Sequence, residues 1–279
     1  TGTVLAANQV FNDVADNHWA ARDIARMKAK GVIGGVSATE FAPDSSVTRE
    51  QLVVLLIRVL GKQNEAGGSI PASYTQRDNV SAYAVGSMAY AVRNNIIPDS
   101  LLSSDPKAPA SRQEVAVLVG RAMGLDDEAA AKQYQSLDYQ DAASIPSASR
   151  GYVVLMQEKG IMGGSTDGNF NPNQSLTRAQ FASILNRVDN QLGLLKQNTL
   201  IGEITYTSYS TFSVRDASGG LQTVSTADDL VVFKTGGISS LTGLTAGNMA
   251  EIIKNSQGRA VYIEEGQFEY EGITIKGEV

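Results

Sequence analysis

The sequence predicts a mainly helical region of three helix–loop–helix repeats around a central helix bundle, followed by a small all-β barrel or sandwich. Three observations carry this: an arginine-centred motif that recurs three times, apolar stripes at helical spacing behind it, and a change of composition near residue 195.

Around Arg49 the chain reads FAPDSSVTREQLVVLLIRVLG, around Arg112 SDPKAPASRQEVAVLVGRAMG, and around Arg178 FNPNQSLTRAQFASILNRVDN. Pro43, Pro106 and Pro172 each lie six residues before the arginine, and Arg58, Arg121 and Arg187 each lie nine after it. Upstream, Phe11-Asn-Asp13 corresponds to Tyr139-Gln-Asp141, and Lys30-Gly-Val-Ile-Gly-Gly35 to Lys159-Gly-Ile-Met-Gly-Gly164. The middle copy diverges: it has Asp78, Tyr83 where Trp19 stands, and Asn95-Ile-Ile97 in place of Gly31-Val-Ile33, without the glycine pair.

Each copy reads as helix, glycine-bearing loop, helix. The first helices are expected over 19–30, 82–94 and 149–159, and the second over 49–60, 112–123 and 178–191. Leu52, Leu55, Leu56 and Val59 form one stripe, and Val53, Val54 and Ile57 extend it nearly round the helix, the pattern of a buried helix. Three such helices make the expected central bundle. The repeats span 9–65, 72–126 and 134–192, and the β domain 199–279. The latter is rich in Thr, Val, Tyr and Ile, with strands expected over 200–207, 211–216, 221–225, 230–234, 249–254 and 260–266. Gly202-Glu-Ile204 recurs as Gly277-Glu-Val279, which reads as the start of a second such β module.

Composition excludes several classes of function. The 279 residues hold 29 acids against 23 Lys and Arg, a net charge of −6, which argues against nucleic acid. With no cysteine and one histidine, His18, thiol catalysis, Cys-type zinc sites and any two-imidazole site are out. No apolar run reaches the ~18 residues of a membrane span. Asp167-Gly-Asn169-Phe-Asn171 starts like a calcium loop, but Pro172 and Arg178 stand where Gly and Glu are needed. Glu264, Glu265, Glu269 and Glu271 read as a solvated strand face rather than a hydrolytic pair. Neither metal nor cofactor is expected, and no catalysis.

Thr48, Ser111 and Thr177 with Gln51, Glu114 and Gln180 match the capping box. That leaves the arginines unexplained, because a cation in a helix's first turn opposes the helix dipole. Two readings stand. Each arginine, beside the free amides of a helix N-terminus, binds an anion such as a carboxylate; or each pairs with an acid of the neighbouring repeat, such as Asp13 or Asp141.

Phe11-x-Asp13, Trp19-Ala20, Gly31-Val-Ile-x-Gly35, Phe41-x-Pro43 and Thr48-Arg49 resemble the S-layer homology domain, well in repeats one and three and partly in repeat two. The resemblance implies a pseudo-threefold trimer of repeats within one chain. It also implies a secreted, peptidoglycan-associated anchor at the cell wall of a Gram-positive bacterium, holding an S-layer or other surface protein non-covalently. The implied partner is a secondary cell wall polymer ending in pyruvylated N-acetylmannosamine, bound in grooves between repeats. Self-association in an S-layer lattice through the rest of the parent is also allowed. Carried over by position, Arg49, Arg112 and Arg178 take the pyruvate carboxylate, and Asp13, Asp78 and Asp141 accept sugar hydroxyls. Trp19 offers a stacking face, and Gly31, Gly34, Gly35, Gly163 and Gly164 admit the polymer to the backbone. Motif completeness ranks Arg112 below Arg49 and Arg178. The alternative is the anchoring fragment of a surface glycan hydrolase whose catalytic domain lies outside this chain.

Overall fold

The computed structural model describes residues 9–268; Glu269, Glu271 and Gly277-Glu-Val279 lie outside them. Among the described residues the helices are α1 (Ala21–Ala29), α2 (Arg49–Val59), α3 (Val85–Arg93), α4 (Arg112–Ala122), α5 (Asp126–Lys132), α6 (Ser147–Glu158) and α7 (Arg178–Leu192). The strands are β1 (Thr199–Thr207), β2 (Thr211–Arg215), β3 (Leu221–Lys234), β4 (Gly237–Ser239), β5 (Met249–Lys254) and β6 (Ala260–Gly266). No helix among the described residues is long and apolar enough to cross a membrane.

The chain divides into two compact units, one of residues 43–194 and the other joining the segment up to Ala42 with that from Leu195. In the first, the capping boxes set the starts of α2, α4 and α7 as the sequence requires. The Gln51 and Gln180 carboxamides and the Glu114 carboxylate accept the amides of Thr48, Thr177 and Ser111 at 3.1, 3.0 and 2.9 Å. The loops ahead of these helices bind one another in a ring. The Val47 amide donates to Leu176, Leu176 to Ala110, and Ala110 to Val47, at 3.0, 3.3 and 2.9 Å. All three side chains are fully buried.

In the second unit five strands close a barrel in the order β2-β1-β5-β6-β3, β3 pairing back to β2, and β4 extends the end of β3. Its interior holds Ile204, Phe212, Val214, Val224, Val232, Ala250, Ile252, Ala260 and Ile263. The two strands expected over 221–225 and 230–234 are one strand. The polar Ala227-Asp-Asp229 stretch reads as a break, but it is where β3 leaves β2 and takes up parallel pairing with β6, with a register shift between Thr226 and Val231.

The expected pseudo-threefold trimer with a central bundle is not what the structure contains. The boundary between the units falls inside repeat one, so α1 belongs with the barrel rather than with a third copy of a common prong. The helices are also packed unequally: α2 lies against α3, α4 and α7, whereas α4 lies against α5 and α6. The physical reason is that the copies share their loops and caps but not their helix faces. The seven-residue α5, without an apolar stripe to announce it, lies in the connection ahead of repeat three and packs on α6, whereas the connection ahead of repeat two holds only 3-10 turns.

The packing of α5 on α6 gives a first test. A Cβ at Gly151 would run into the Ala129 carbonyl of α5. Gly151→Val should therefore destabilise by the ~1–3 kcal/mol of an overpacked core, measured as a lowered urea midpoint.

Candidate functional site

The arginines sit where three loops meet three helix starts, but the first-turn amides are not free. In α2, the amides of Arg49 and Glu50 donate to the carbonyls of Ala108 and Pro106. In α4, those of Arg112 and Gln113 donate to Gln174 and Pro172; in α7, those of Arg178 and Ala179 donate to Ser45 and Pro43. The three prolines of the motif are thus acceptors for the neighbouring helix. An anion at these sites would meet guanidinium groups, not a helix N-terminus.

Arg112 is the best assembled. Its Nε donates to the Phe170 carbonyl at 2.6 Å and its Nη2 to the Gly163 carbonyl at 2.7 Å, with the guanidinium 5.1 Å from the Phe170 ring centre. Burial pushes this guanidinium below its ordinary value, with Tyr139 and Asp141 working the other way. Among the described residues it has no carboxylate within ion-pair distance. Its companions Gly163, Phe170 and Tyr139 come from repeat three, so the glycine pair missing from repeat two is supplied by the next copy. Counting completeness within each repeat therefore misjudges Arg112.

Arg49 is placed differently. Its Nη2 meets Glu114 at 2.7 Å and its Nη1 the Asp105 carbonyl at 3.2 Å. Here the pairing with an acid of the neighbouring repeat holds, though the acid is neither Asp13 nor Asp141. Glu114 serves twice, with one oxygen on Arg49 and the other on the Ser111 amide. Near Arg178, whose charge acts on the Tyr83 hydroxyl, Glu50 accepts the Ser81 amide at 2.9 Å and that hydroxyl at 3.0 Å. Desolvation of the hydroxyl and the bond to Glu50 push Tyr83 up to about 12. Sequence reasoning noticed Tyr83 only as the stand-in for Trp19, and missed Glu50 because an acid beside a capping residue looks like a helix-dipole partner.

Asp13 and Asp141 hold loops. Asp13 accepts the amides of Phe41 and Ala42 at 2.8 and 2.6 Å, and Asp141 those of Phe170 and Asn171 at 2.8 and 2.7 Å. Ala42 and Asn171 take positive φ there, 57° and 58°. A carboxylate has about four acceptor positions, two of which these amides take in each acid. In repeat two the Thr75 amide donates to Leu102, as Asn12 does to Thr39. That register puts Gln76 at the acid's place, while the Asp78 carboxylate is 95% exposed. Trp19 is 61% exposed, and its ring lies 5.6 Å from that of His18. His18 Nδ1 accepts the Ala20 amide at 3.1 Å. Gly35 and Gly164 are needed for close approach, since a Cβ would meet Phe11 at 2.8 Å and Tyr139 at 2.7 Å; Gly34 and Gly163 face open space. Gly31 and Gly160 turn the chain with φ of 71° and 64°, a turn Asn95 makes in repeat two at 56°.

Glu264 and Glu265 do not form a solvated face. Glu264 accepts the Tyr262 hydroxyl and pairs with Arg22 at 3.1 Å. Glu265 accepts the Thr245 amide and the Asn248 carboxamide at 2.7 and 2.8 Å. Asp167 accepts the Ser165 hydroxyl and the Asn169 amide, which closes a turn and holds its carboxyl at about 2.

Residues 10–53 and 138–182 match the family model of the S-layer homology domain. Over 179 residues the chain is 27% identical to an endoglucanase of Bacillus sp. (strain KSM-635), covering 63% of this chain and 18% of that protein. It is 31% identical over 115 residues to the surface-layer 125 kDa protein of Lysinibacillus sphaericus (40% of this chain, 10% of that one). It is also 31% identical over 94 residues to the cellulosome-anchoring protein of Acetivibrio thermocellus (34% and 21%). The chain therefore spans about a fifth or less of the length of these relatives.

The clamps give a second test. Asp141→Ala removes two charge-assisted bonds, each worth ~1.5–3 kcal/mol. It should lower the stability of residues 43–194 and raise amide exchange at Phe170 and Asn171, while Asp78→Ala leaves stability within ~0.5 kcal/mol.

Proposed function

Starting from a chain that carries S-layer homology domains, we infer that its arginine-lined sites read the anionic sugar terminus of a wall polymer. The protein is secreted and belongs to the cell surface and wall, and the matched domains are anchoring modules without catalysis. The ligand is a secondary cell wall polymer ending in pyruvylated N-acetylmannosamine, the pyruvate carboxylate meeting the arginines and Trp19 offering a stacking face. Asp13 and Asp141 are the acceptors for sugar hydroxyls, Gln76 standing in their place in repeat two, and Gly34 and Gly163 leave room at the backbone. Repeat two, 72–126, is the third copy on the strength of Arg112 and its capping box, beside repeats 9–65 and 134–192 and the β domain 199–279.

The observation that carries this reading is Arg112: a desolvated guanidinium bonded to two carbonyl oxygens and a ring face, short of a counter-charge. A carboxylate supplies what those partners lack, in the bidentate geometry a guanidinium favours. Arg49, already paired with Glu114, gains less from the same ligand. The endoglucanase match keeps a second reading, in which the anchor serves a surface glycan hydrolase. Incubating sacculi with the parent protein and assaying released reducing sugar separates the two.

Titration of the chain with pyruvylated and unmodified N-acetylmannosamine tests the ligand. The pyruvylated sugar should bind tighter by ~1.5–3 kcal/mol, and equal affinities would sink the assignment. Arg112→Ala should cost ~2–5 kcal/mol, more than Arg49→Ala, with both variants folded.

A further inference from the structure

The first helix of each repeat has the same frame, fixed by the turn at Gly31, Asn95 or Gly160. In that frame repeats two and three place Gly86 and Gly151 where repeat one has Arg22, and Tyr90 and Leu155 where it has Arg26. The glycines have a visible purpose. A Cβ at Gly86 would meet the Ala66 carbonyl at 2.8 Å, and one at Gly151 would strike the Ala129 carbonyl. In both copies the connection from the preceding repeat lies directly on that face of the helix.

In repeat one the same face meets the barrel. Arg22, Ala25, Arg26 and Ala29 follow an i, i+3, i+4, i+7 stripe. Arg26 makes a two-pronged ion pair with Glu251 of β5, at 2.7 Å from Nε and 2.9 Å from Nη2. The two residues are only 8% and 5% exposed. Lys30 approaches the same carboxylate at 3.8 Å. Arg22 pairs with Glu264 of β6, donates to the Lys234 carbonyl at 3.2 Å, and lies 5.9 Å from the Phe233 ring centre.

The barrel is built to be covered there. Residues alternate along a strand, and Ala250, Ile252, Val232 and Ile263 fill the interior. Their neighbours Glu251, Ile253, Val231, Phe233 and Tyr262 are outside the barrel's core, yet they are buried. An acid with no place in a barrel interior thus stands on a covered apolar face, aimed at an arginine that the sister repeats lack.

We propose that the barrel is the clasp of repeat one. It takes the place that the preceding connection holds in repeats two and three, and through Arg26 and Glu251 it fixes α1 and hence the loop that begins at Gly31. Arg26 and Glu251 are positioning residues for the wall-binding loop. The consequence for wall binding rests on the anchoring reading above; the clasp itself does not.

Hydrogen exchange on the full chain tests the clasp, with sacculus co-sedimentation on the same samples. In Glu251→Gln, the amides of α1 should exchange at least tenfold faster, while those of α4 and α7 keep wild-type rates. Arg26→Leu, which leaves the barrel sequence intact, should do the same with β5 and β6 unchanged. The swapped pair, Arg26→Glu with Glu251→Arg, should restore most of the protection. Wild-type exchange of α1 in Arg26→Leu would overturn the proposal, as would a swapped chain no better protected than the single variants. Sacculus binding should fall in the single variants and return in the swapped one. A wild-type chain that ignores sacculi removes the anchoring reading, while the exchange result still decides the clasp.

Discussion

Backbone amides at a helix start need acceptors, and α2, α4 and α7 each take them from the loop of another copy. The Pro43, Pro106 and Pro172 carbonyls and the ring through Val47, Ala110 and Leu176 fix the three helix starts against one another. Everything at the candidate site follows from this. Because amides and carbonyls satisfy each other, the N-terminal dipoles are spent on structure, and only side-chain charge remains to meet an anion. Because each loop caps another copy's helix, Arg112 reaches Gly163 and the Phe170 ring of the next copy.

Charge is handled differently in the two units. In residues 43–194 Arg112 has only carbonyls and a ring for partners, while Arg49 and Arg121 pair with Glu114 and Asp126. In the other unit the buried Arg26 has a carboxylate with both oxygens in use. Removing either partner would strand a buried charge, which is the costly outcome for such pairs. An under-neutralised guanidinium suits a ligand that comes and goes; a saturated one suits a permanent joint.

Much of this was legible in the sequence, and the limits have physical causes. The capping residues and strand ends came through because Ser, Thr, Gly and alternating apolar residues act locally. The arginines stood out because they break a local preference. What stayed hidden depends on partners far along the chain. Nothing near Arg112 announces Gly163, and nothing near Glu251 announces Arg26. Asp78 was matched by its spacing, yet the backbone register gives its place to Gln76. The symmetry inferred from repeated motifs failed for the same reason: motifs report loops and caps, whereas the packing of helices depends on faces that the copies do not share.

The barrel's closure also bears on crowding. β3 runs for 14 residues and pairs with β2 along its first half and with β6 and β4 along its second. Among the described strands this leaves β4 as the end of the order, three residues long, with Gly237 as its first residue and Gly236 just before it. An edge so short gives a neighbouring chain almost no ladder to extend. Molecules held side by side at high density can therefore touch without zippering into a shared sheet, and their spacing is left to other surfaces.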